Sequence, residues 1–228
     1  MKRYFLLLVC FVGSLGFSQK QYYFDYALIY DNGITFNRGL KSNLFLINSN
    51  DNSHHTFVSF DKDSIVASLQ LVDFNGLVVN SNVGKEMFYK GQTFTNSCNS
   101  VIRFSNRFKD KANDYDFVKH QDTIINDTVY FHYSIKSNKS LAYQKRKEIV
   151  TSHYIIDKNS EQFEPFLFRT TEYNKWIKVF KLPKGLIKIK YDVNVEGEII
   201  FKQELIKVIQ INKLFTIPDE CDYTKSLK

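Results

Sequence analysis

Histidine is the side chain best suited to metal binding or proton transfer near neutral pH, and the sequence contains five: His54, His55, His120, His132 and His153. A zinc site needs three or four convergent ligands, but no His-x-His, Cys-x-x-Cys or His-Glu-x-x-His spacing occurs. His54 and His55 would point to opposite faces of a strand and cannot chelate one ion together. His132 is predicted to be a solvated side chain on a polar strand face. We therefore predict neither a metal site nor a cofactor.

Motifs for catalysis are absent from the sequence. There is no Gly-x-Ser-x-Gly elbow and no glycine-rich phosphate loop. The acidic residues fall mostly in predicted turns, as Asp51, Asp73 and Glu196 do, where solvated side chains are expected. Two carboxylates of the glycosidase kind can come from distant parts of a chain, so a hydrolase with dispersed acidic residues stays an alternative. We name no catalytic residue and favour a non-catalytic protein.

One region carries most of the basic character. Between Lys175 and Lys213 there are nine lysines and four acidic residues, and the only tryptophan lies at its start. A lysine-lined sheet face with an aromatic side chain at its edge could meet lipid headgroups or acidic glycans. The candidate ligand-contacting residues are Trp176, Lys178, Lys188 and Lys190. The alternative is a solvated outer face whose lysines discourage aggregation through a sheet edge.

The first eighteen residues predict export. Lys2 and Arg3 precede an apolar run, and small residues then lead to a cleavage position between Ser18 and Gln19. The run is about half of the roughly 20 apolar residues that span a bilayer, and no later segment is long enough either. Removal of this signal peptide, residues 1–18, leaves residues 19–228 as a single domain and lowers the formal charge from +7 to +5. That modest excess does not indicate nucleic-acid binding.

Two cysteines remain after this cleavage, Cys98 and Cys221, because Cys10 lies within the signal peptide. A disulfide is the economical interpretation, since exported proteins meet an oxidising environment and an exposed free thiol would be a liability there. The bridge would close a loop of more than 120 residues, for which chain-entropy models give roughly 5 kcal/mol. Two buried, unpaired thiols are one alternative. A Cys98 nucleophile beside His120 or His132 is another.

The elements that must position these side chains are β-strands. Phe occurs 21 times and Tyr 14 times, against 3 Pro, and aromatic residues fit a pleated, half-buried surface. Residues 186–195 alternate apolar side chains with Lys188, Lys190, Asp192 and Asn194, which predicts a strand with one solvated face. Further strands are predicted over residues 22–30, 43–48, 54–60, 65–71, 77–79, 101–104, 122–125, 128–136, 147–157, 163–168, 175–180 and 199–211.

Tight turns are predicted at Asn126-Asp127, at residues 73–76 and at Glu196-Gly197. Residues 140–148 could form a short helix capped by Ser140, but we favour a loop there. The pattern predicts an all-β fold, a single antiparallel curved sheet or open barrel built from consecutive hairpins with little helix. Its aromatic-rich concave face is expected to be buried or to line a cleft.

Residues 182–187, Leu-Pro-Lys-Gly-Leu-Ile, resemble the Gly-Leu-Pro-Gly-Leu-Ile turn of the GLPGLI family of small exported Bacteroidetes proteins. A segment with a tryptophan precedes the turn and an alternating strand follows it, as in that family. Lys181 stands in place of the first glycine, and Lys184 is inserted before Gly185. The segment 217–223 and the Ser18-Gln19 site are similar to uncharacterised exported proteins of that lineage. The resemblance implies an all-β protein in the periplasm or at the cell surface of a Gram-negative bacterium, and it brings no known activity.

These features together predict a non-catalytic cell-envelope protein that binds an apolar or lipid-like ligand or another envelope component, such as a glycan or a protein. A hydrolase is the first alternative, and a structural or assembly partner of other envelope proteins is the second. A lipid-binding protein should contain an apolar cavity of a few hundred Å³, which is typical of ligand sites. A fully packed interior would exclude that function.

Overall fold

The computed structural model describes residues 19–33, 42–60, 64–104, 110–179 and 182–225. These residues form one sheet of 13 strands that is almost entirely antiparallel and not closed. The predicted all-β class and the open, single-sheet architecture are therefore confirmed. The predicted signal peptide lies outside the described residues.

The strands alternate with short connections along the chain. They are β1 (Gln19–Asn32), β2 (Ser42–Asn48), β3 (Asp51–Phe60), β4 (Val66–Asp73), β5 (Leu77–Gly84), β6 (Thr93–Thr95), β7 (Val101–Arg103), β8 (Tyr115–Lys119), β9 (Thr123–Ile125), β10 (Thr128–Ser137), β11 (Thr151–Asp157), β12 (Ile187–Val193) and β13 (Ile199–Pro218). Within the described residues, three α-helices accompany them: α1 (Lys85–Lys90), α2 (Leu141–Arg146) and α3 (Thr170–Val179).

The first and last strands pair at the centre of the sheet. β1 and β13 run antiparallel over almost the whole length of β1, from Gln19 opposite Pro218 to Asn32 opposite Gln203. On the β1 side lies a first wing, in the order β2, β3, β4, β5 and β7. On the β13 side lies a second wing, in the order β12, β11, β10 and β8. The hairpins predicted from local sequence thus build the two wings, and pairing of the chain ends joins them.

The predicted turns are present, and the backbone explains their residues. Asn126 and Asp127 both have positive φ, 47° and 60°, between β9 and β10, as a two-residue hairpin turn requires. Gly76 and Gly197 also have positive φ in the turns that follow β4 and β12. Local turn chemistry therefore fixes where these hairpins reverse.

Two predictions of local structure are wrong because helices form instead. Residues 175–179, predicted as part of a strand, belong to helix α3. Its Tyr173 and Trp176, three residues apart, join a core cluster that includes second-wing residues and Phe74, on which Tyr173 stacks. Residues 141–146, predicted as a loop, form helix α2. Its first turn is capped by the Ser140 hydroxyl, which accepts a hydrogen bond from the Tyr143 amide.

The predicted strand over residues 163–168 is also absent. This segment has no regular structure, because Pro165 cannot donate a ladder hydrogen bond in the middle of a sheet. Instead it covers the centre of one sheet face, where Phe163 packs on Tyr26 and Phe166 packs on Phe45. We call the face that carries this segment and helix α3 the inner face, and the opposite one the outer face.

The structure contains the predicted disulfide between Cys98 and Cys221, whose Cα atoms are 5.5 Å apart. It joins the turn after β6 to the segment that follows β13. Cys221 lies in a core cluster on the outer face of the first wing, with Phe94 and Phe215 among its members. As half of a disulfide, Cys98 has no thiol that could act as a nucleophile.

Gly185, within the segment that resembles the GLPGLI turn, is expected to be the glycine most sensitive to substitution. Its φ is +131°, and a Cβ there would lie 2.6 Å from the Asp157 carbonyl oxygen. Gly185→Ala is expected to lower the free energy of unfolding by roughly 2–5 kcal/mol, from backbone strain and the clash together. Urea unfolding monitored by circular dichroism measures this loss.

Two other glycines separate the causes of that loss. Gly197 also has positive φ, but nothing lies within 4 Å of the point that a Cβ would occupy there, so Gly197→Ala should cost about 1–2 kcal/mol through strain alone. Gly84 has an ordinary φ of −58° and open space, so Gly84→Ala should be neutral or slightly stabilising. Equal losses at Gly185 and Gly197 would contradict the role of the close approach to Asp157.

Candidate functional site

A cavity of about 870 Å³ opens on the inner face between the two wings. Strands from both wings line it, together with helix α2 and the start of helix α3, so the sheet curves around this space. Its aromatic lining residues are Phe45, His55, Phe57, Phe74, Phe104, Tyr115, Tyr143 and Phe168. The predicted aromatic-rich concave face is therefore present, and it lines a cleft.

Cations outnumber acids around this cavity. Among the described residues that line it, four side chains are basic and one, Asp114, is acidic. Lys139 forms an ion pair with Asp114 at 2.7 Å. The four basic residues are Lys111, Lys139, Lys147 and Arg169. The cavity thus combines an apolar, aromatic wall with a net positive charge.

A smaller cavity of about 400 Å³ adjoins the first and shares Tyr115, Lys147 and Arg169 with it. Acidic side chains, Glu148, Glu172 and Asp192, are part of its lining. The two cavities therefore differ in charge, and Arg169 lies at the boundary between them.

A buried ionic network forms the floor beside Arg169. The Arg169 guanidinium donates hydrogen bonds to Asp192 Oδ2 at 2.7 Å and to Ser152 Oγ at 3.0 Å. Glu172 Oε2 accepts hydrogen bonds from the Phe168 and Arg169 amides at 2.9 and 3.2 Å, which caps the first turn of helix α3. Burial, and then the Glu172 carboxylate, raise the pKa of Tyr154 well above its ordinary value. Both carboxylates are thereby engaged in holding the fold.

The prediction of a solvated polar face on β12 is wrong. Lys190 and Asp192 are only 3% and 4% exposed, because they point to the inner face beneath Arg169 and helix α3. The Lys190 ammonium lies 4.5 Å from the centre of the Phe168 ring and 3.9 Å from Asp192 Oδ1. Burial lowers its pKa, and the Glu172 and Asp192 carboxylates partly offset that effect.

The other residues predicted to contact a ligand lie apart from one another. Trp176 and Lys178 are on helix α3, where Lys178 donates a hydrogen bond to the Asn113 side chain at 3.1 Å. Lys188 is on β12 and donates to the Leu205 carbonyl at 2.7 Å. Neither described cavity is lined by these three residues or by Lys190. The lysine-rich region is therefore not one surface, and the cavity cations come from elsewhere in the chain.

Comparisons with known proteins add a structural likeness but no family. No protein-family model and no curated protein matches the chain. Two solved structures of MucB are similar to it, one in complex with MucA(peri) and one of the Pseudomonas aeruginosa MucA/MucB complex. The sequence identities are 9% and 8%, and both TM-scores are 0.32. The matches cover 81% and 84% of this chain, and 49% and 52% of the MucB chains. The chain thus spans about half the length of the MucB chains.

A DUF1329 family protein from Desulfovibrio piger is also similar, with 8% identity, a TM-score of 0.29, and coverage of 93% of this chain and 90% of that one. These values are too low to carry an argument about function, so we base the functional argument on the cavity. Within the part of the chain that the structure describes, no helix is long and apolar enough to cross a bilayer; α3, the longest, has 10 residues.

Three of the five histidines come together on the outer face of the second wing. His120 follows β8, His132 lies on β10 and His153 on β11, and all three are half-buried. His132 Nε2 and His153 Nδ1 are 3.0 Å apart. Burial first, and then the neighbouring imidazoles, lower the pKa of His153 to about 4, and burial and His120 lower that of His132. His132 is therefore not the isolated, solvated side chain predicted.

The register of one predicted hairpin contained a signal for this cluster. Thr128 pairs with Ile125 next to the Asn126-Asp127 turn, and continuing that register places residue 121 opposite His132. A shift of one position, seen where Tyr133 pairs with Lys119, brings in His120. His153 could not be found in this way, because its strand joins β10 through the longer connection that holds helix α2.

His54 and His55 point to opposite faces, as predicted. His54 packs on Tyr22 and Phe24 in the outer-face core, whereas His55 packs among Phe74 and Phe166 and lines the large cavity. Burial lowers the pKa of His55 to about 3, with a smaller contribution from His54. The cavity wall therefore contains a neutral imidazole at neutral pH.

Removing this imidazole should reduce the loss of stability in acid. The folded state holds His55 neutral, whereas in the unfolded chain His55 is protonated below a pKa of about 6.5. The free energy of unfolding therefore keeps its full value above that pH and decreases as the pH falls towards 3. Between pH 6.5 and pH 4 His55 should account for roughly 2–3 kcal/mol of the loss. His55→Phe keeps an aromatic ring among its neighbours and should flatten the urea-unfolding free energy over that range. An unchanged pH profile would contradict the assignment.

Proposed function

We propose that this protein is a non-catalytic binder of an amphipathic anion, such as a fatty acid or an anionic lipid, in the large inner-face cavity. The single observation that supports this most strongly is a cavity of about 870 Å³ with an aromatic wall and four basic side chains. Its volume lies within the range of roughly 300–1,000 Å³ typical of small-molecule sites. The interior is therefore not fully packed, as a lipid-binding function requires.

Each half of such a ligand has a counterpart in the lining. Phe45, Phe57 and Val72 present apolar surface from the first wing, and burying an alkyl chain against it contributes about 0.8 kcal/mol per methylene. Lys147 and Arg169 face this surface from the connection before β11 and from the start of helix α3. A carboxylate or phosphate is the group that these cations favour. The ligand would thus lie across the gap between the wings.

We also propose that the protein is exported to the periplasm or the cell surface. The amino-terminal sequence predicts this, and the disulfide supports it, because such bonds persist in oxidising compartments. The hydrolase alternative has less support, since Glu172 and Asp192 are held by a helix cap and an ion pair.

Titration of a fluorescent fatty acid into the chain from Gln19 tests the binding function. Dansyl-labelled undecanoic acid should bind saturably with one equivalent per chain. Dodecanoate should displace it at least about tenfold more tightly than dodecyltrimethylammonium, a difference of about 1.4 kcal/mol, because the cavity favours an anion. Equal displacement by the two competitors would argue against the role of the cations, and no saturable binding would overturn the proposal.

A cavity-blocking variant and a matched control place the ligand. Val78 lines the cavity from β5, so Val78→Trp should weaken binding of the fluorescent probe at least about tenfold by filling part of the space. Val129 is exposed on β10 and lines neither described cavity. Val129→Trp should therefore leave the affinity unchanged. Equal losses in both variants would show that the probe binds outside the cavity.

A further inference from the structure

The outer face of the second wing brings three imidazoles to one point on a rigid sheet. His120, His132 and His153 each offer one ring nitrogen, and these three atoms lie within 4.8 Å of one another. Zn–N bonds of about 2.0–2.1 Å hold tetrahedral nitrogens about 3.4 Å apart. The 3.0 Å between His132 Nε2 and His153 Nδ1 is already close to that spacing. Turning the rings, whose centroids lie 4.4–5.5 Å apart, would bring all three nitrogens around one ion.

Neighbouring side chains fix the orientation of these rings. The Ser134 hydroxyl lies 2.8 Å from His120 Nε2. Tyr191, from β12, stacks on His153 with ring centres 4.6 Å apart and planes 5° apart, and its hydroxyl lies 3.3 Å from His132 Nε2. The Tyr191 hydroxyl thus lies beside the His132 nitrogen that faces His153, where a bound ion would be held. The cluster therefore has ordered surroundings as well as convergent nitrogens.

We propose that His120, His132 and His153 form a binding site for a divalent transition-metal ion of the Zn²⁺ class, on the outer face and separate from the ligand cavity. Imidazole suits Zn²⁺, Cu²⁺ and Ni²⁺. Three histidines from adjacent strands leave a fourth tetrahedral position open to water or to the Tyr191 hydroxyl. The site does not depend on the proposed function, because β10 presents His132 to one face and cavity-lining residues such as Ser137 to the other.

Isothermal titration of the tag-free, chelator-treated chain with zinc chloride tests the site. We expect one equivalent of Zn²⁺ to bind with micromolar or tighter affinity. His120→Asn, His132→Asn and His153→Asn should each weaken binding at least about tenfold, whereas His55→Phe, which changes a histidine outside the cluster, should leave the affinity unchanged. Loss of affinity in all three cluster variants supports the site. Affinity no better than millimolar, or affinity that does not change in these variants, overturns it.

Two further measurements keep the result interpretable. His120 lies at the edge of the cluster, after the end of β8, so His120→Asn is the variant expected to keep its fold, and circular dichroism verifies this. Co²⁺ in place of Zn²⁺ reports geometry directly. Intense visible absorption bands indicate four-coordinate cobalt and support the site. The site is contradicted if the parent protein lacks these bands, or if a folded His120→Asn variant keeps them.

Discussion

Replacing Cys98 and Cys221 together by alanine is expected to lower the free energy of unfolding by roughly 3–5 kcal/mol. The bridge joins residues 123 positions apart, so its removal greatly increases the conformational freedom of the unfolded chain. It also releases the segment after β13, whose Cys221 is buried in the outer-face core. Urea unfolding of the chain from Gln19, followed by circular dichroism, measures the change.

The reduced parent protein is the matched control for this variant. Reduction with dithiothreitol opens the same bond without changing side-chain volume, so the reduced parent should lose most of the stability that the double alanine variant loses. A further loss in the variant measures the cavity left at Cys221. A decrease of less than about 1 kcal/mol in both samples would contradict a stabilising role for the disulfide.

Lys190→Met is expected to have the second largest effect, a loss of roughly 3–5 kcal/mol. Lys190 is buried with Asp192 and beside Glu172. Without its ammonium, Arg169 is the cation that balances these two buried carboxylates among the described residues. The uncompensated negative charge outweighs the benefit of replacing a buried ammonium by an apolar side chain. Urea unfolding at pH 7 measures the loss.

Two comparisons isolate the electrostatic origin of that loss. Lys178 is exposed on helix α3, so Lys178→Met should change stability by no more than about 0.5 kcal/mol. Adding Asp192→Leu to Lys190→Met removes one of the two carboxylates and should restore about 1–3 kcal/mol through the coupling between neighbours. If Lys190→Met cost no more than Lys178→Met, the ionic network would not be a stabilising feature.

Sequence patterns predicted the parts of the fold that local chemistry determines. The Asn126-Asp127 turn was predictable because both residues tolerate positive φ. Strands β4, β10 and β12 were predictable because their apolar positions alternate. The disulfide was predictable because two cysteines remained in a chain expected to be exported. Each of these inferences needs only neighbouring residues or a count.

The wrong prediction for β12 has a physical cause in tertiary context. The alternation of Lys190 and Asp192 with apolar residues predicted a solvated face, but Arg169, from a distant segment, pairs with Asp192 and buries both. Helix α3 was missed because Arg169, which is not one of the usual amino-terminal capping residues, precedes its first residue, Thr170. Glu172 at the third helical position supplies the cap instead. The pairing of Arg169 with Asp192 cannot be found in a short window of sequence around β12.

The sequence predicted that an aromatic-lined cleft could exist, but it did not predict which residues line the cavity. Its lining comes from strands β2 to β5 of the first wing, from β8 and β10 of the second, from helix α2 and from the start of helix α3. No periodic pattern relates these segments. The excess of aromatic residues predicted that such a space could be lined. The cations that give it a positive charge lie outside the lysine-rich region between Lys175 and Lys213, where the local charge balance had predicted a ligand-contacting surface.

A native mass spectrum of the protein purified without detergent from the cells that produce it tests the central claim most directly. We predict a bound species with the mass of a fatty acid or an anionic lipid, at one per chain, present in Val129→Trp and depleted in Val78→Trp. Only the mass of the unliganded chain in the parent protein, or a bound species retained equally by both variants, would contradict binding of an amphipathic anion in the inner-face cavity.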